Sequence, residues 1–297
     1  IAVDVDADAF EGWWYEGGGI YRHVWLHVAD GAHVAPWGVF VDPVKVDGAR
    51  WETRVRTTVE NAGSAARRLT VRSTLVGPDG AALGTATGEV EVPPLGSAEL
   101  RRSIDARSPA LWDLATPVLH RLRTELLDGG RVVDASETAF GYRTVRFDPD
   151  VGFFLNERPV KLKGTCNHQD HAGVGVAVPD ALQAWRIGRL KAMGSNAYRC
   201  AHNPPAEELL DACDRLGMLV MDENRCFAPE AGAMEDLATM VRRDRNHPSV
   251  ILWSIFNEEV FAQGNATGRR IAERMVARVR ELDPSRPITA AINGAMF

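Results

Sequence analysis

The stretch 249-SVILWSIFNEEVF-261 decides how this chain is read. Val250 to Trp253 is an unbroken apolar run, and Ile255 and Phe256 extend it past a single serine. A short, β-branched and aromatic run of this kind is a strand covered on both faces, as in a parallel sheet. It stops abruptly at Asn257, Glu258 and Glu259. An amide and two carboxyls at the C-terminal tip of a buried strand do little for packing. They are well placed for chemistry, because barrel enzymes carry their working groups at that end.

The residues on either side repeat a strand–helix rhythm from about 147 onward. Leu162–Cys166 predicts a strand, and 180-DALQAWRIGRLKAMG-194 predicts a helix with Asp180 as N-cap and Gly194 past its end. Leu182, Trp185, Leu190 and Met193 are its expected packing side. A strand at Ala197–Cys200 follows, then a helix at 205-PAEELLDACDRLG-217, with Pro205 suited to the first turn and Gly217 to the stop. Met218–Met221 reads as a strand ending in 222-DENR-225, and a helix at 234–245 precedes the quoted strand. A helix over 268–282, with Ile271, Met275 and Val279 on one face, and a strand from Ile288 complete the series. Repeated β-α units mean a parallel sheet or a barrel. No G-x-G-x-x-G turn follows the first strand, and 173-GVGVA-177 lacks that spacing, which argues against a dinucleotide site.

Residues up to about 146 alternate instead with period two. Val24, Leu26 and Val28 interleave with His23, Trp25 and His27, and Val55, Thr57 and Val59 with Arg54, Arg56 and Thr58. Leu69, Val71, Ser73 and Leu75 lead into the turn 77-GPDG-80, and Glu89–Val92, Leu119–Leu127 and Thr138–Phe147 supply further strands. The pattern is that of a β-sandwich. The first 34 residues are too few for a domain, and 11-EGWWYEGGGIYR-22 reads as the end of another β domain, with Trp13, Trp14 and Trp185 as packing residues.

With 25% charged and 45% hydrophobic residues the composition is that of an ordinary globular protein. A net charge of -6 disfavours nucleic acid and anionic membrane as partners, and no apolar run is long enough to span a bilayer. The opening at Ile1, without Met or a signal-like core, reads as an excised or processed piece and leaves localisation open. Cys166, Cys200, Cys213 and Cys226 form no CxxC or finger spacing and are expected to be buried free thiols.

Each predicted parallel strand ends in polar residues: Asn167, His168, Asp170 and His171; Arg199, His202 and Asn203; Asp222, Glu223 and Asn224; Asn257 and Glu258. Four such endings in register predict a polar cleft over a barrel mouth, suited to a polyhydroxylated ligand. Glycoside hydrolysis needs one carboxyl that protonates the leaving oxygen and a second that acts as nucleophile or base. Glu258 is the donor candidate, the alternative being an ion pair or strand cap, which is the preferred reading of Glu259. Asp222 and Glu223 fit either substrate binding or ion pairs with Arg199, itself either a structural cation or a ligand. His202 reads as a substrate ligand. His168, His171 and His202 also permit a metal centre, although no HExxH fixes its geometry.

Five stretches carry a family resemblance: 17-GGGIYRHVWL-26, 140-FGYRTVRFDPDVGFFLNERPVKLKGTCNHQDH-171, 195-SNAYRCAHNPP-205, 213-CDRLGMLVMDE-223 and 250-VILWSIFNEE-259. In order and spacing the chain resembles glycoside hydrolase family 2, the family of β-galactosidases, β-glucuronidases and β-mannosidases. The resemblance implies a multidomain β plus α/β architecture. Residues 1–34 would be the tail of a jelly-roll sugar-binding domain, 35–146 an immunoglobulin-like sandwich, and 147–297 the first half of a (β/α)8 TIM barrel. It implies that Glu258 is the acid/base, that Asn257 orients the 2-hydroxyl or the nucleophile, and that His202, His168, Asp222 and Glu223 line the substrate pocket. The family nucleophile follows barrel strand seven, and no residue here matches it. The expectation is therefore a retaining exo-β-glycosidase in the intact parent, most similar to β-galactosidases, with this fragment inactive and edge strands left open. No organic cofactor or metal is assigned, although Mg²⁺ and Na⁺ serve some members. The expected partner is a β-glycoside, and the parent could be a homo-oligomer. A non-catalytic carbohydrate-binding module is the competing class.

Overall fold

The structure, a computed structural model, describes residues 2–6 and 19–294. Trp13, Trp14 and most of the loop 11–22 lie outside the described residues. The described residues ahead of Ala32 contain neither helix nor strand, including 23–28, where alternation predicts one. Val24, Trp25, Leu26 and Val28 are all exposed there. Alternation becomes a strand only when a neighbour pairs with its backbone, and no described strand does so. The segment is instead pinned by Arg22, which donates to the carbonyls of Pro204 (2.9 Å) and Pro205 (3.1 Å) and to Gln169 Oε1 (2.8 Å).

Seven strands follow: β1 (Ala32–Lys45), β2 (Arg50–Asn61), β3 (Arg67–Val76), β4 (Ala82–Val92), β5 (Gly96–Arg107), β6 (His120–Asp128) and β7 (Arg131–Phe140). They form two antiparallel sheets, ordered β1-β2-β5 and β4-β3-β6-β7, which face each other as a sandwich. Val55, Leu75, Leu122 and Phe140 meet in its core, with Trp51 edge-on to Tyr142 and the Tyr142 hydroxyl 2.7 Å from Thr53 Oγ1. The alternation misses β1 and β5. In β5 only Ile104 and Ala106 are buried, so its sequence 96-GSAELRRSIDAR-107 carries little apolar signal.

The strand predicted across Thr138–Phe147 is two. β7 ends at Phe140, and β8 (Val145–Asp148) begins a separate small sheet with β9 (Gly152–Leu155) and β10 (Arg158–Pro159). Gly141 sits at the break, where a Cβ would lie 2.8 Å from the Trp112 side chain. Phe153 and Leu155 of this sheet pack with Trp112, Leu219 and Ile251, closing the N-terminal ends of the strands that follow.

Those strands are β11 (Gly164–Asn167), β12 (Ala197–Cys200), β13 (Leu219–Glu223), β14 (Val250–Asn257) and β15 (Ile288–Ala291). They form one parallel sheet in chain order, alternating with α1 (Asp180–Ala192), α2 (Glu207–Leu216), α3 (Ala231–Asp244) and α4 (Ala266–Leu282). This is a partial (β/α) barrel, with β11 and β15 at its margins. Tyr198, Val220, Trp253 and Ile255 pack outward against the helices, and the predicted Ile271, Met275 and Val279 face of α4 is buried there. Gly217 ends α2 at φ 71°, and a Cβ on it would lie 2.5 Å from the Leu114 carbonyl oxygen, so both conformation and space demand glycine.

The face expected for α1 is not the buried one. Gln183 and Ile187 turn inward, whereas Trp185 and Met193 are exposed. Trp185 therefore is not a core residue; its ring meets His171 edge-on at 6.0 Å. Asp180 is the first helical residue of α1, and Pro179 occupies the cap. Two thiols also depart from expectation. Cys200 and Cys213 are buried, and burial pushes both well above the ordinary thiol range, but Cys166 and Cys226 are exposed.

Sandwich and barrel are joined through backbone recognition. Asn246, in the loop before β14, accepts from the β1 amide of Val41 (2.9 Å) and donates to the Val39 carbonyl (2.8 Å). Arg245 and Arg56 both lie over the Phe40 ring, at 4.8 and 4.7 Å from its centre. Arg143 donates to the carbonyls of Pro248 and Val250, and burial first, with the like charge of Arg286 second, lowers its pKa to about 9 against the pull of Asp283, Asp214 and Asp42. Among the described residues no helix is long and apolar enough to cross a membrane.

Candidate active site

Successive residues of a strand point to opposite faces, and this rule sorts the polar residues of β13. Leu219, Met221 and Glu223 share the barrel-interior side, and Val220 and Asp222 face the helices. Arg199 on β12 reaches across to Glu223, donating from Nε (2.9 Å) and Nη2 (3.0 Å) to its two carboxylate oxygens. Ser254 Oγ of β14 donates to Glu223 Oε2 at 2.8 Å, and His202 Nδ1 lies 2.7 Å from Glu223 Oε1. Arg199 Nη2 also donates to Asn257 Oδ1 at 2.6 Å. One guanidinium thus ties together the C-terminal ends of three neighbouring strands.

The electrostatics follow from this wiring. Glu223 has no exposed surface, yet every contact it makes is with a donor. Burial works against the charge on Arg199, but the hydrogen-bonded Glu223 carboxylate outweighs it and raises the Arg199 pKa. His202 Nδ1 is engaged by Glu223 Oε1 and lies 3.2 Å from Arg199 Nη2, so Nε2 is the ring nitrogen that this network leaves uncommitted. His168 packs edge-on against the His202 ring at 5.0 Å, and its pKa is lowered by burial first and by His202 second.

Glu258 stands immediately beyond this network. Its backbone turns left-handed (φ 49°), its amide donates to the Ala291 carbonyl at 2.8 Å, and its side chain is exposed. Among the described residues no hydrogen bond or ion pair reaches its carboxylate. Glu259 differs: its Oε1 accepts from Arg225 Nη1 at 2.8 Å, the ion pair expected of it.

Asp222 is not brought into the cleft. Its side chain is fully buried on the helix side, where Oδ1 accepts from the Glu223 amide (2.9 Å) and the carboxyl faces Asp244. Burial first, and the like charge of Asp244 second, push its pKa well above the carboxylate range. The ion pair with Arg199 is therefore made by Glu223 alone. Asn224 also turns away, donating to the carbonyls of Cys226 (2.7 Å) and Ile255 (3.2 Å). His171 is drawn off to Trp185, so the three histidines do not converge on a metal. Among the described residues, the two clusters of three metal-competent side chains both lie away from this cleft.

Two family models match this architecture. Glycosyl hydrolases family 2 matches residues 32–143, the sandwich. The TIM barrel domain of the same family matches 149–230 and 228–296. The chain belongs to glycosyl hydrolase family 2.

Family 2 relatives support the assignment along nearly all of the chain. It is 33% identical to the β-galactosidase BoGH2A of Bacteroides ovatus across 99% of its own length and 40% of that protein. A family 2 member from Bacteroides cellulosilyticus superposes with a TM-score of 0.91 at 34% identity, over 98% of this chain and 40% of the other. A Bacteroides uniformis β-glucuronidase 2, covalently bound to cyclophellitol-6-carboxylate aziridine, superposes with a TM-score of 0.82 at 30% identity, over 94% and 36% of the two chains. The chain spans 40% or less of the length of each.

Within this family 2 site, sequence reasoning missed Ser254 and Arg225. Ser254 interrupts the apolar run at the position that faces the interior, and that interruption was its one available signal. The pairing of Arg225 with Glu259 joins residues 34 positions apart, which no local pattern reveals.

Proposed function

We propose that this chain carries the acid/base half of the active site of a retaining exo-β-glycosidase, with Glu258 as the acid/base. The observation that carries the reading is the contrast at the strand ends. Of the carboxylates at the ends of β13 and β14, Glu258 is the one left open to a substrate, while Glu223 is saturated, Asp222 faces the helices and Glu259 is paired. Glu258 protonates the departing glycosidic oxygen as a second carboxylate attacks the anomeric carbon. It then takes a proton from the water that releases the sugar. The second carboxylate must lie about 5–5.5 Å from the first. The family resemblance puts it after barrel strand seven, beyond the five parallel strands described, and this chain alone is expected to be inactive. Covalent modification of the B. uniformis β-glucuronidase accords with a nucleophilic mechanism in the family.

Asn257 and His202 are assigned to substrate. Arg199 occupies the Asn257 carbonyl, which leaves the amide NH₂ for a sugar hydroxyl. The uncommitted Nε2 of His202 hydrogen-bonds another, with His168 beside it. The preferred sugar is a β-galactoside. Both arginines at the strand ends, Arg199 and Arg225, are bound to carboxylates, so neither is spare to receive a uronate. The likeness to a β-glucuronidase makes that sugar the second reading, ahead of β-mannoside.

The test is release of nitrophenol from β-galactoside, β-glucuronide and β-mannoside by a polypeptide of the relatives' full length, beside this chain alone. Glu258→Gln should lower kcat by about 10²- to 10⁴-fold. Azide should restore turnover to Glu258→Ala by replacing water without need of a base. Turnover undiminished in Glu258→Gln would sink the acid/base role, and preference for the glucuronide would sink the galactoside. Sugar binding with no turnover in the full-length polypeptide would favour a binding module.

A further inference from the structure

A second cavity, of about 320 Å³, opens between the extended segment around Arg22 and the first turns of α1 and α2. Its lining includes none of Glu223, Asn257 and Glu258, and it meets the strand ends at Asn167 and Asn203. On its wall stand His23 from the extended segment, Asp180, the first residue of α1, and Glu208, in the first turn of α2. His23 Nε2 lies 2.9 and 3.2 Å from the two Asp180 carboxylate oxygens and 3.5 Å from Glu208 Oε1. One donor atom from each of the three side chains falls within 4.8 Å of the other two. Two carboxylates on separate helices repel at this range unless a cation stands between them. Gln183, one helical turn after Asp180 and only 7% exposed, also lines the cavity, and its Oε1 has no donor among the described residues.

We propose that His23, Asp180 and Glu208 form a divalent transition-metal site, suited to Zn²⁺, that staples the extended segment to the first turns of α1 and α2. An imidazole nitrogen and two carboxylate oxygens form a donor set zinc uses, and tetrahedral ligands about 2.0–2.1 Å from zinc stand roughly 3.3 Å apart. The measured 2.9–3.5 Å spacings from His23 bracket that value. A fourth, open position would carry water, and the buried Gln183 carbonyl on the same wall would accept a hydrogen bond from it. Such a site would add to the hold of Arg22 on a segment whose Val24, Trp25, Leu26 and Val28 bury little of their surface.

The other cluster, Asp211, Asp214 and His247, also sets one histidine beside two carboxylates and has a different fate. Both Asp214 oxygens are consumed, by His247 Nδ1 at 2.6 Å and the Ser249 amide at 3.0 Å, inside the protein. It is a structural ion pair and serves as the control.

The test titrates chelator-treated chain with ZnCl₂ by calorimetry. One site per chain is expected, weakened at least tenfold in both His23→Ala and Asp180→Asn and unchanged in Asp211→Asn. Anomalous diffraction at the zinc edge should place the ion between the three side chains. In excess EDTA all variants should melt with wild type, and Zn²⁺ should then raise the Tm of wild type but not of His23→Ala. Absence of binding, or equal binding in His23→Ala, overturns the site. Loss confined to Asp211→Asn overturns it in favour of the other cluster. Neither outcome bears on the glycosidase reading, whose assays rest on Glu258.

Discussion

The two faces of the parallel sheet each bury an aspartate or glutamate beside an arginine, and they treat it in opposite ways. On the interior face Glu223 is met by Arg199, His202 and Ser254, so a full charge is held without exposed surface. On the helix face Asp222 meets another acid, Asp244, whose two oxygens already accept from Arg243 at 2.6 and 2.7 Å. The first arrangement keeps an ion fixed under a cleft; the second favours a neutral acid inside a helix layer. Adjacent residues of one strand can thus differ in protonation and role because a single pleat separates their surroundings.

The largest effect that would break this contrast is on catalysis. Glu258→Gln, in a full-length polypeptide, should lose about 10²- to 10⁴-fold in kcat with Tm unchanged, because its exposed carboxylate supports nothing. Glu223→Ala should act on stability instead, destabilising by about 2–4 kcal/mol by leaving the half-buried Arg199 without its carboxylate. Denaturant melts of the chain check this, and an unchanged midpoint would mean that the interior network holds nothing.

Smaller effects sharpen the contrast through pH. His247 loses by burial but gains more from Asp214, so its folded pKa is raised above 6.5. Its contribution is then fully present below pH 6.5 and declines as pH rises through the raised value. Melts from about pH 6 to about pH 9 should show a falling Tm that His247→Gln lacks. For Asp222, raised by burial and Asp244, the sign is the same: stability is full below its ordinary 3.8 and is lost as pH climbs through the raised value. Asp222→Asn cannot ionise, so its Tm should be flatter with pH above about 4, and the variant should cost less than about 1 kcal/mol at neutral pH. Strong destabilisation by Asp222→Asn would show that this face, too, needs a charge.

Much of this was legible in the chain itself. The run 250–256 reads as a buried strand because both of its faces are covered, and periodicity needs no distant partner to show that. Helices α2 and α4 were readable from their apolar spacing and from Gly217, and the family from motifs in order. Elsewhere local pattern misled. Residues 23–28 alternate like a strand but find no neighbour, and α1 buries Gln183 and Ile187 while exposing Trp185. Alternation reports what a segment can do, whereas pairing and burial are decided by what the rest of the chain places beside it.

By itself the sequence determined the succession of a β-sandwich and β-α repeats, and it put amides, acids and histidines at strand ends, since these follow from local period and chain order. Only the tertiary structure decided that Glu223 and not Asp222 joins Arg199, that Glu259 is engaged by Arg225, and that Glu258 is left open. Those outcomes depend on which side of a pleat faces the barrel interior and on donors contributed by residues 24, 31 and 34 positions away. Charge and hydrogen bonding act through space, over a few ångströms, and separation along the chain carries no record of them.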